Sequence, residues 1–344
     1  MKKMLCLVLT LVLAFTLFAG CGSNDAATDD AANGDNAESA EGEKIKVALI
    51  ASSSGLGDRS FNDGAWAGFQ KAEQELGVEI QVVEPEGVAD YQSAASTLAN
   101  AGYKLIFATG NDWGDTITTV AAQYPDVCFV GLNVTATGDN VAVAQTADHQ
   151  LGFLAGALAA MMTESNTVGY IGGAEVPSQV RFQVGYQEGV AYINPETSVL
   201  STFVGAFNDP ATGKEFALEL INQGADVIFH TAGQSGGGLF EAVEETEGVY
   251  AIGVDSNQDS IVEGKVLTST LKNLDAIAYD MIERVVNGNF TSGTVVYDLT
   301  NGGVGLTEME FTKDLIGEEN LAKLEEIKAG IIDGTIEVTD TYAQ

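Results

Sequence analysis

Short apolar runs recur along the chain, and the longer segments between them carry apolar residues at helical spacing. The runs have the length of buried strands, whereas the intervening segments are long enough for helices. Strands that alternate with helices predict βαβ units and parallel sheets, so the fold class is α/β. The strand candidates lie at 45–51, 78–84, 104–109, 127–132, 141–145, 167–172, 199–204, 226–231, 249–254 and 266–270.

The pattern also repeats along the chain. Segments displaced by 121 or 122 residues resemble each other in three places: 61–68 with 182–189, 102–114 with 224–236, and 127–132 with 249–254. Chance similarity among βα units can explain one match, but a constant displacement predicts two equivalent lobes rather than one long sheet. Ligands bind beyond the carboxyl ends of parallel strands, so the two lobes should enclose a cleft. Phe61 and Phe182 are then placed to close on the two faces of one planar ring.

The first 43 residues are predicted to lie outside this fold. Two lysines, an apolar stretch and small residues before Cys21 indicate a signal peptide at 1–20, too short to span a membrane. Ala19-Gly20-Cys21 resembles a bacterial lipobox, in which Cys21 becomes the lipid-modified N-terminus. The alternative is ordinary cleavage near Ala19 with Cys21 incidental. Residues 22–43 carry seven acids and no bases, so 21–43 is predicted to be a disordered tether.

Length and charge narrow the function. About 300 remaining residues exceed the usual size of a single core, which favours two domains. The formal net charge of −34 argues against binding to nucleic acid and disfavours nucleotides, because Lys and Arg supply most of the affinity for phosphate.

The stretch GLGDRSFNDGAW, residues 55–66, lies where the first strand should turn into a helix. A phosphate-binding loop is not indicated, because Ser60 stands at the third glycine position and Asp58 is negative where phosphate would lie. Ser60 with Asp63 is typical of a helix N-cap, which makes Phe61 and Asn62 first-turn residues at the strand's carboxyl end. They present a flat apolar face and an amide to an uncharged ligand, unless Phe61 fills the core.

Four motifs in this order behind a lipobox resemble the basic membrane protein family of substrate-binding lipoproteins. They are SFND, the Ala-Gly turn of the second lobe, GVDSNQ at 253–258 and TSTLKNLD at 268–275, and the resemblance spans about 45–310. The family includes purine nucleoside receptors of ABC importers. The resemblance implies a type I periplasmic-binding-protein fold with three crossovers between lobes. The N-terminal lobe is expected at 44–147, completed by about 271–292, and the C-terminal lobe at 148–270, completed by about 293–344.

The resemblance also implies roles for particular residues. Phe61 would stack on the base, Asn62 would hydrogen-bond it, Asp148 would lie near the pocket, and Asp255 with Lys272 would hold the ribose. One carboxylate can accept both hydroxyls of a diol in charge-assisted hydrogen bonds, which fits Asp255. Alternatives are a helix N-cap for Asp255 and simple balancing of nearby acids for Lys272.

The remaining predicted contacts lie in the turns that follow strands. They are Ser52, Asp58, Asn111, Asp112, Phe182 and Gly233. Many family members have an aspartate at Ser52, and residues 109–115 lack the family's usual glycine-aromatic version, so base preference stays open. Asn111 and Asp112 fit a helix cap as well as a ligand contact.

An enzymatic function is weighed and not favoured. Residues 233–237 satisfy GxSxG, but His149 and His230 both precede the serine, whereas α/β-hydrolases place the histidine after it. Acids are scattered singly, which does not suit a calcium-dependent nucleoside hydrolase, and His149 has no second histidine or thiol nearby for a metal. We therefore predict no catalysis, cofactor or metal.

The sequence thus predicts a monomeric, lipid-anchored extracytoplasmic protein whose two lobes close on a nucleoside, with a purine nucleoside favoured. Its partners would be the nucleoside, the permease subunits of an ABC importer and the membrane. The alternative is a sensor lipoprotein that binds a nucleoside or sugar-like molecule and signals to a membrane partner.

Overall fold

The computed structural model describes residues 44–52, 55–110 and 112–342. The predicted signal peptide, tether and lipidated Cys21 lie outside these residues, as does Asn111. Within the described part of the chain, no helix has both the length and the apolar character needed to cross a membrane.

Twelve strands occur in the described residues. They are β1 Lys46–Ile50, β2 Glu79–Val83, β3 Leu105–Ala108, β4 Cys128–Leu132, β5 Val141–Thr146, β6 Thr167–Gly172, β7 Ser198–Phe203, β8 Val227–Thr231, β9 Tyr250–Asp255, β10 Val266–Lys272, β11 Gly293–Tyr297 and β12 Val304–Leu306. Each of the ten strand candidates overlaps one of β1 to β10.

Nine α-helices occur in the same residues. They are α1 Phe61–Leu76, α2 Val88–Asn100, α3 Gly114–Ala121, α4 Asp148–Met162, α5 Pro177–Ile193, α6 Pro210–Asn222, α7 Gly237–Glu245, α8 Leu274–Val286 and α9 Lys313–Asp333. A short 3₁₀ helix, Gly233–Gly236, precedes α7.

The strands form two sheets, one for each lobe. Their orders are β11-β5-β4-β3-β1-β2 and β12-β10-β9-β8-β6-β7. The described pairings are parallel except for the antiparallel pair of β10 and β12. The predicted α/β architecture of two parallel-sheet lobes is therefore confirmed.

The chain crosses between the lobes three times in the described residues. The crossovers follow β5, β10 and β11, and lead into α4, α8 and β12. The predicted start of the final C-terminal segment at 293 is wrong, because β11 pairs with β5 in the first sheet. This strand is partly exposed and lacks the continuous apolar run that marks a buried strand, so the pattern did not reveal it.

The repeated glycines allow close packing of equivalent helices. A Cβ atom at Gly68 in α1 would lie 2.3 Å from the carbonyl oxygen of Asp275 in α8. A Cβ at the matching Gly189 in α5 would lie 2.0 Å from the carbonyl oxygen of Phe153 in α4. In each lobe, a helix that follows a crossover therefore packs closely against the helix that carries the aromatic residue: α8 against α1 with Phe61, and α4 against α5 with Phe182.

Candidate functional site

A cavity of about 280 Å³ lies between the lobes. It falls near the lower end of the range of roughly 300–1,000 Å³ that is usual for small-molecule sites. The lining residues come from both lobes: Ser52, Asp58, Ser60, Phe61, Gly110, Asp112, Asn133, Val176, Ser178, Gln179, Phe182, Phe207, Thr231, Gly233, Val254, Asp255 and Lys272.

Eight of the predicted contacts meet at this cavity. They are Ser52, Asp58, Phe61, Asp112, Phe182, Gly233, Asp255 and Lys272. Two other predicted residues, Asn62 and Asp148, are fully buried and lie outside the described lining.

Ser60 is the N-cap residue of α1, as the sequence predicts, but its side chain makes no capping hydrogen bond, and Asp58 accepts from the first-turn N–H groups instead. One Asp58 carboxylate oxygen accepts from the backbone N–H of Asn62 at 2.9 Å, and the other accepts from Ser60 and Asp63 at 3.0 and 3.1 Å. Burial raises the pKa of Asp58, although these backbone hydrogen bonds act in the opposite direction. The Ser60 hydroxyl is thereby available for another partner.

Asn62 is a structural residue and not the base contact that the sequence suggested. Its Oδ1 accepts from the Ser52 N–H at 3.0 Å and from the Thr109 hydroxyl at 2.6 Å. Its Nδ2 donates to Ser52 Oγ, the Gly55 carbonyl and Asp58 Oδ2 at 2.9, 3.0 and 2.9 Å. Because all its polar atoms are engaged, Asn62 fixes the loop after β1 and has no group left for a ligand.

Lys272 lies between two carboxylates at the crossover. Its Nζ is 3.2 Å from Asp255 Oδ1 and 3.3 Å from Asp148 Oδ1. Burial lowers the pKa of Lys272, but the attraction of Asp148 and Asp255 outweighs burial, so the pKa is raised above its usual value. The lysine is therefore charged in the folded protein.

Asp148 stands behind this lysine, at the start of α4. Its Oδ1 accepts from the Thr146 hydroxyl at 2.5 Å, and its Oδ2 accepts from Asn133 Nδ2 at 3.3 Å. The sequence predicts Asp148 near the pocket; in the structure it does not line the cavity, but it contacts two residues that do, Lys272 and Asn133.

Asp255 joins the two lobes. Its Oδ2 accepts a hydrogen bond of 2.5 Å from the Ser60 hydroxyl, and the neighbouring Ser256 hydroxyl donates to the Arg59 carbonyl at 2.5 Å. Apart from the ion pair with Lys272, Asp255 Oδ1 has no hydrogen-bond partner among the described residues. Asp255 has a φ of 65°, a left-handed conformation that Asp and Asn tolerate better than most residues.

Two aromatic rings approach the same ammonium group. The Lys272 Nζ lies 5.1 Å from the centroid of Phe61 and 4.8 Å from that of Phe182. Phe182 also makes an edge contact with Phe229 in the second lobe's core, with centroids 5.9 Å apart. The cavity therefore has an aromatic face from each lobe next to its charged cluster.

Sequence reasoning missed Asn133 and Gln179, although the repeat contained the signal. Asn133 lies 122 residues before Asp255; Asn133 directly follows β4 and Asp255 ends β9, and both have positive φ, 55° and 65°. Gln179 lies 121 residues after Asp58; Asp58 is in the loop before α1, and Gln179 is in the first turn of α5. Applying the displacement to every candidate would have found both. Phe207, by contrast, has no aromatic counterpart in the repeat.

Gln179 and Asp112 supply polar groups at the cavity wall. Gln179 Oε1 accepts from the Thr231 hydroxyl at 2.5 Å and from the Gly173 N–H at 3.3 Å, which leaves its Nε2 as the available donor. Both Asp112 carboxylate oxygens accept from the Tyr91 hydroxyl, at 3.2 and 3.1 Å. Tyr91 thus orients an acceptor whose carboxylate retains further lone pairs.

The GxSxG serine has a structural role. Ser235 is fully buried, donates to the Ala206 carbonyl at 2.8 Å and accepts from the Asp209 N–H at 2.9 Å. His230 Nε2 is 3.1 Å from Gln258 Oε1, and burial lowers the pKa of this histidine to about 4. Among the described residues, no group of three or more His, Cys, Asp or Glu side chains is arranged to hold a metal ion.

Two parallel-sheet lobes, three crossovers and a ligand-sized cleft between them define the type I class of solute-binding proteins. Residues 44–341 match the profile of the Bmp family, described as ABC transporter substrate-binding protein PnrA-like. The chain therefore belongs to this family and is an ABC transporter substrate-binding protein, which confirms the resemblance seen in the sequence.

Relatives match over nearly the whole chain. A Listeria innocua protein named CD4+ T-cell-stimulating antigen is 32% identical and aligns over 98% of this chain and 99% of its own. A Lactococcus lactis protein named ABC transporter nucleoside-binding protein BmpA is 32% identical with the same two coverages. A Pyrococcus abyssi protein described as an uncharacterized lipoprotein is 32% identical over 79% of this chain and 71% of its own.

Solved structures share the fold. An ABC transporter solute-binding protein from Aeropyrum pernix K1 has a TM-score of 0.80 and 28% identity, over 86% of this chain and 93% of that one. A protein from Bacillus halodurans described as a transcriptional activator of the comK gene has a TM-score of 0.72 and 27% identity, over 83% and 97%.

Proposed function

We propose that this protein captures a nucleoside outside the cytoplasm and delivers it to the permease subunits of an ABC importer. It acts as a monomer, is held at the membrane by a lipid on Cys21, and performs no chemistry on its ligand. The observation that carries the nucleoside assignment is the combination of an Asp255–Lys272 pair with two aromatic side chains in one cavity.

The sugar is assigned to Asp255 and Lys272. Asp255 Oδ1 has spare acceptor capacity, and a carboxylate can receive the two hydroxyls of a ribose diol together. Lys272 has one N–H in addition to those facing its two carboxylates, because an ammonium carries three N–H groups. These groups suit a neutral polyol held beside a charged pair.

The base is assigned to the space next to Phe61 and Phe182. Aromatic faces stack on every base, so they contribute affinity without selecting among bases. Ser52 and Asn62 hydrogen-bond each other, which leaves Asp112 and the Gln179 amide as the polar groups for the base edge. The Asp112 carboxylate is an acceptor and the Gln179 amide is a donor, so together they favour a base whose edge carries both a hydrogen-bond donor and an acceptor.

The charge at the cleft favours nucleosides over nucleotides. Among the described residues lining the cavity, Asp58, Asp112 and Asp255 are acidic and Lys272 is the single cation. Lys272 is already paired with two carboxylates, one of them the buried Asp148. A phosphate would enter a negative site with its cation neutralised, at a considerable electrostatic cost.

A thermal-shift screen tests this function. A ligand that binds only the folded form stabilises it by about 2.7 kcal/mol at a hundredfold excess over Kd. We expect a shift with at least one of adenosine, guanosine, inosine, uridine and cytidine, and little shift with their phosphates. Shifts with sugars alone would refute the nucleoside assignment.

Cys21→Ala tests the anchor. The variant should leave the membrane fraction and keep its ligand affinity, because residues 22–43 separate the anchor from the fold. Quantitative blotting of membrane and soluble fractions, with Cys128→Ala as a matched thiol control, measures the effect. Full membrane retention of Cys21→Ala would require another anchor.

A sensor that signals to a membrane partner is the second candidate. It is supported by the structural similarity to the Bacillus halodurans protein described as a transcriptional activator. Radiolabelled nucleoside uptake by a strain that lacks the gene separates the two functions. If the protein serves an importer, high-affinity uptake should be lost. If it is a sensor, uptake should be intact and a downstream response should change.

A further inference from the structure

The C-terminal segment 334–342 runs from the end of α9 along α5. The Thr339 N–H donates to Glu188 Oε2 at 2.9 Å. Asp340 then accepts two hydrogen bonds from Arg181, from Nε at 2.7 Å and from the second terminal nitrogen at 2.8 Å. This bidentate geometry is the strongest form of an arginine–carboxylate pair. Two residues on, the Tyr342 ring centroid lies 4.8 Å from the guanidinium carbon.

Arg181 is buried, with 1% of its surface exposed, and it also reaches the first crossover. Its remaining terminal nitrogen donates to the Thr146 carbonyl at 2.5 Å. The Thr146 hydroxyl donates to Asp148 Oδ1, the same oxygen that pairs with Lys272. Direct contacts therefore connect Asp340 through Arg181, Thr146 and Asp148 to the lysine in the cavity.

We propose that Arg181 and Asp340 form a positioning pair for ligand binding. Through this pair, the C-terminal segment holds Lys272 of the cavity in place, although the segment is far from the other cavity residues in sequence. Arg181 fixes the Thr146 backbone, and Asp340 neutralises the guanidinium. Lys272 thereby keeps Asp148 as its own partner and is held in place beside Asp255.

Loss of the Asp340 charge should disturb the site through electrostatics. A buried guanidinium without its carboxylate is strongly unfavourable, and it will seek another acceptor. The crossover offers Asp148, so Arg181 would compete with Lys272 for that carboxylate. Lys272 would then shift its position relative to Asp255, where we place the ligand sugar.

The test compares Asp340→Asn with Glu337→Gln, an exposed acid of the same segment, in the full chain. Changes along such a coupled network alter binding by about two- to thirtyfold. Stopped-flow dissociation of adenosine, guanosine and uridine should be faster by this factor in Asp340→Asn and unchanged in Glu337→Gln. Asp340→Glu, which keeps the carboxylate, should restore at least part of the slow dissociation.

The dissociation assay rests on the proposed function, because it needs a bound nucleoside. Hydrogen exchange tests the positioning pair without a ligand. In the ligand-free protein, amide exchange at 146–149 should be faster in Asp340→Asn than in Glu337→Gln. If the unaltered protein binds no nucleoside, the proposed function is wrong, and the positioning pair is then tested by the exchange rates at 146–149. Equal exchange at 146–149 in the two variants, or equal dissociation rates where nucleosides bind, would overturn it.

Discussion

Replacing Asp255 with Asn removes one charge from the proposed sugar site and keeps nearly the same shape. Asn tolerates the left-handed conformation observed at this position, with φ of 65°, so the backbone should be retained. Lys272 keeps Asp148 as a partner at 3.3 Å, so it should remain charged and buried. The substitution therefore reports mainly on the hydrogen bonds that the carboxylate makes.

The expected loss follows from the two oxygens of Asp255. One accepts from Ser60 at 2.5 Å, and the other faces Lys272 at 3.2 Å with no other described partner. A hydrogen bond to a charged group contributes about 1.5–3 kcal/mol. Losing one such bond to a sugar hydroxyl corresponds to roughly a tenfold to 150-fold weaker affinity.

Calorimetric titration with a ribonucleoside and its 2′-deoxy form measures this effect. The unaltered protein should favour the ribonucleoside, and Asp255→Asn should lose both affinity and most of that preference. Asp226→Asn is a suitable control, since this carboxylate lies outside the described cavity lining. If Asp255→Asn retained the full preference for the ribose, Asp255 would not contact the diol.

Other perturbations test separate parts of the structure. Phe61→Ala should weaken the binding of ribonucleosides and deoxyribonucleosides equally, by the about 1–3 kcal/mol that base stacking contributes. Unchanged affinity in calorimetry would show that Phe61 does not stack on the base. Gly189→Ala should lower the free energy of unfolding by about 1–3 kcal/mol in urea titration, because its Cβ would meet the Phe153 carbonyl; unaltered stability would contradict the packing explanation. His230 has a folded pKa lowered to about 4 from 6.5, so the unfolded chain binds more protons between these values. Stability should fall as pH decreases through this window, more steeply than in His230→Gln, and parallel melting curves would refute that assignment.

Much of the fold was visible in the sequence because buried parallel strands and packed helices leave periodic apolar signals. The repeat even marked Gly68 and Gly189, whose function is helix packing rather than ligand contact. Strand β11 escaped because an edge strand alternates between exposed and partly buried residues. Its short pattern resembles a loop until the pairing with β5 is known.

The site was less predictable, because residue type does not reveal which hydrogen bonds are already used. The amide of Asn62 could hydrogen-bond a base, but it already forms hydrogen bonds with Gly55, Asp58 and Thr109. Arg181 and Asp340 are 159 residues apart, and no local pattern joins them. Asp255 and Lys272 were found because the carboxyl ends of strands and the family motifs both pointed to them.

The central claim, capture of a nucleoside, is tested most directly by identifying what the protein selects. Purified protein is equilibrated with a small-molecule extract of its own cells, washed and denatured, and the released compounds are identified by mass spectrometry. The predicted result is enrichment of a free nucleoside, with Asp255→Asn releasing much less of it. Enrichment of a sugar, an amino acid or a phosphorylated nucleotide instead would contradict the account.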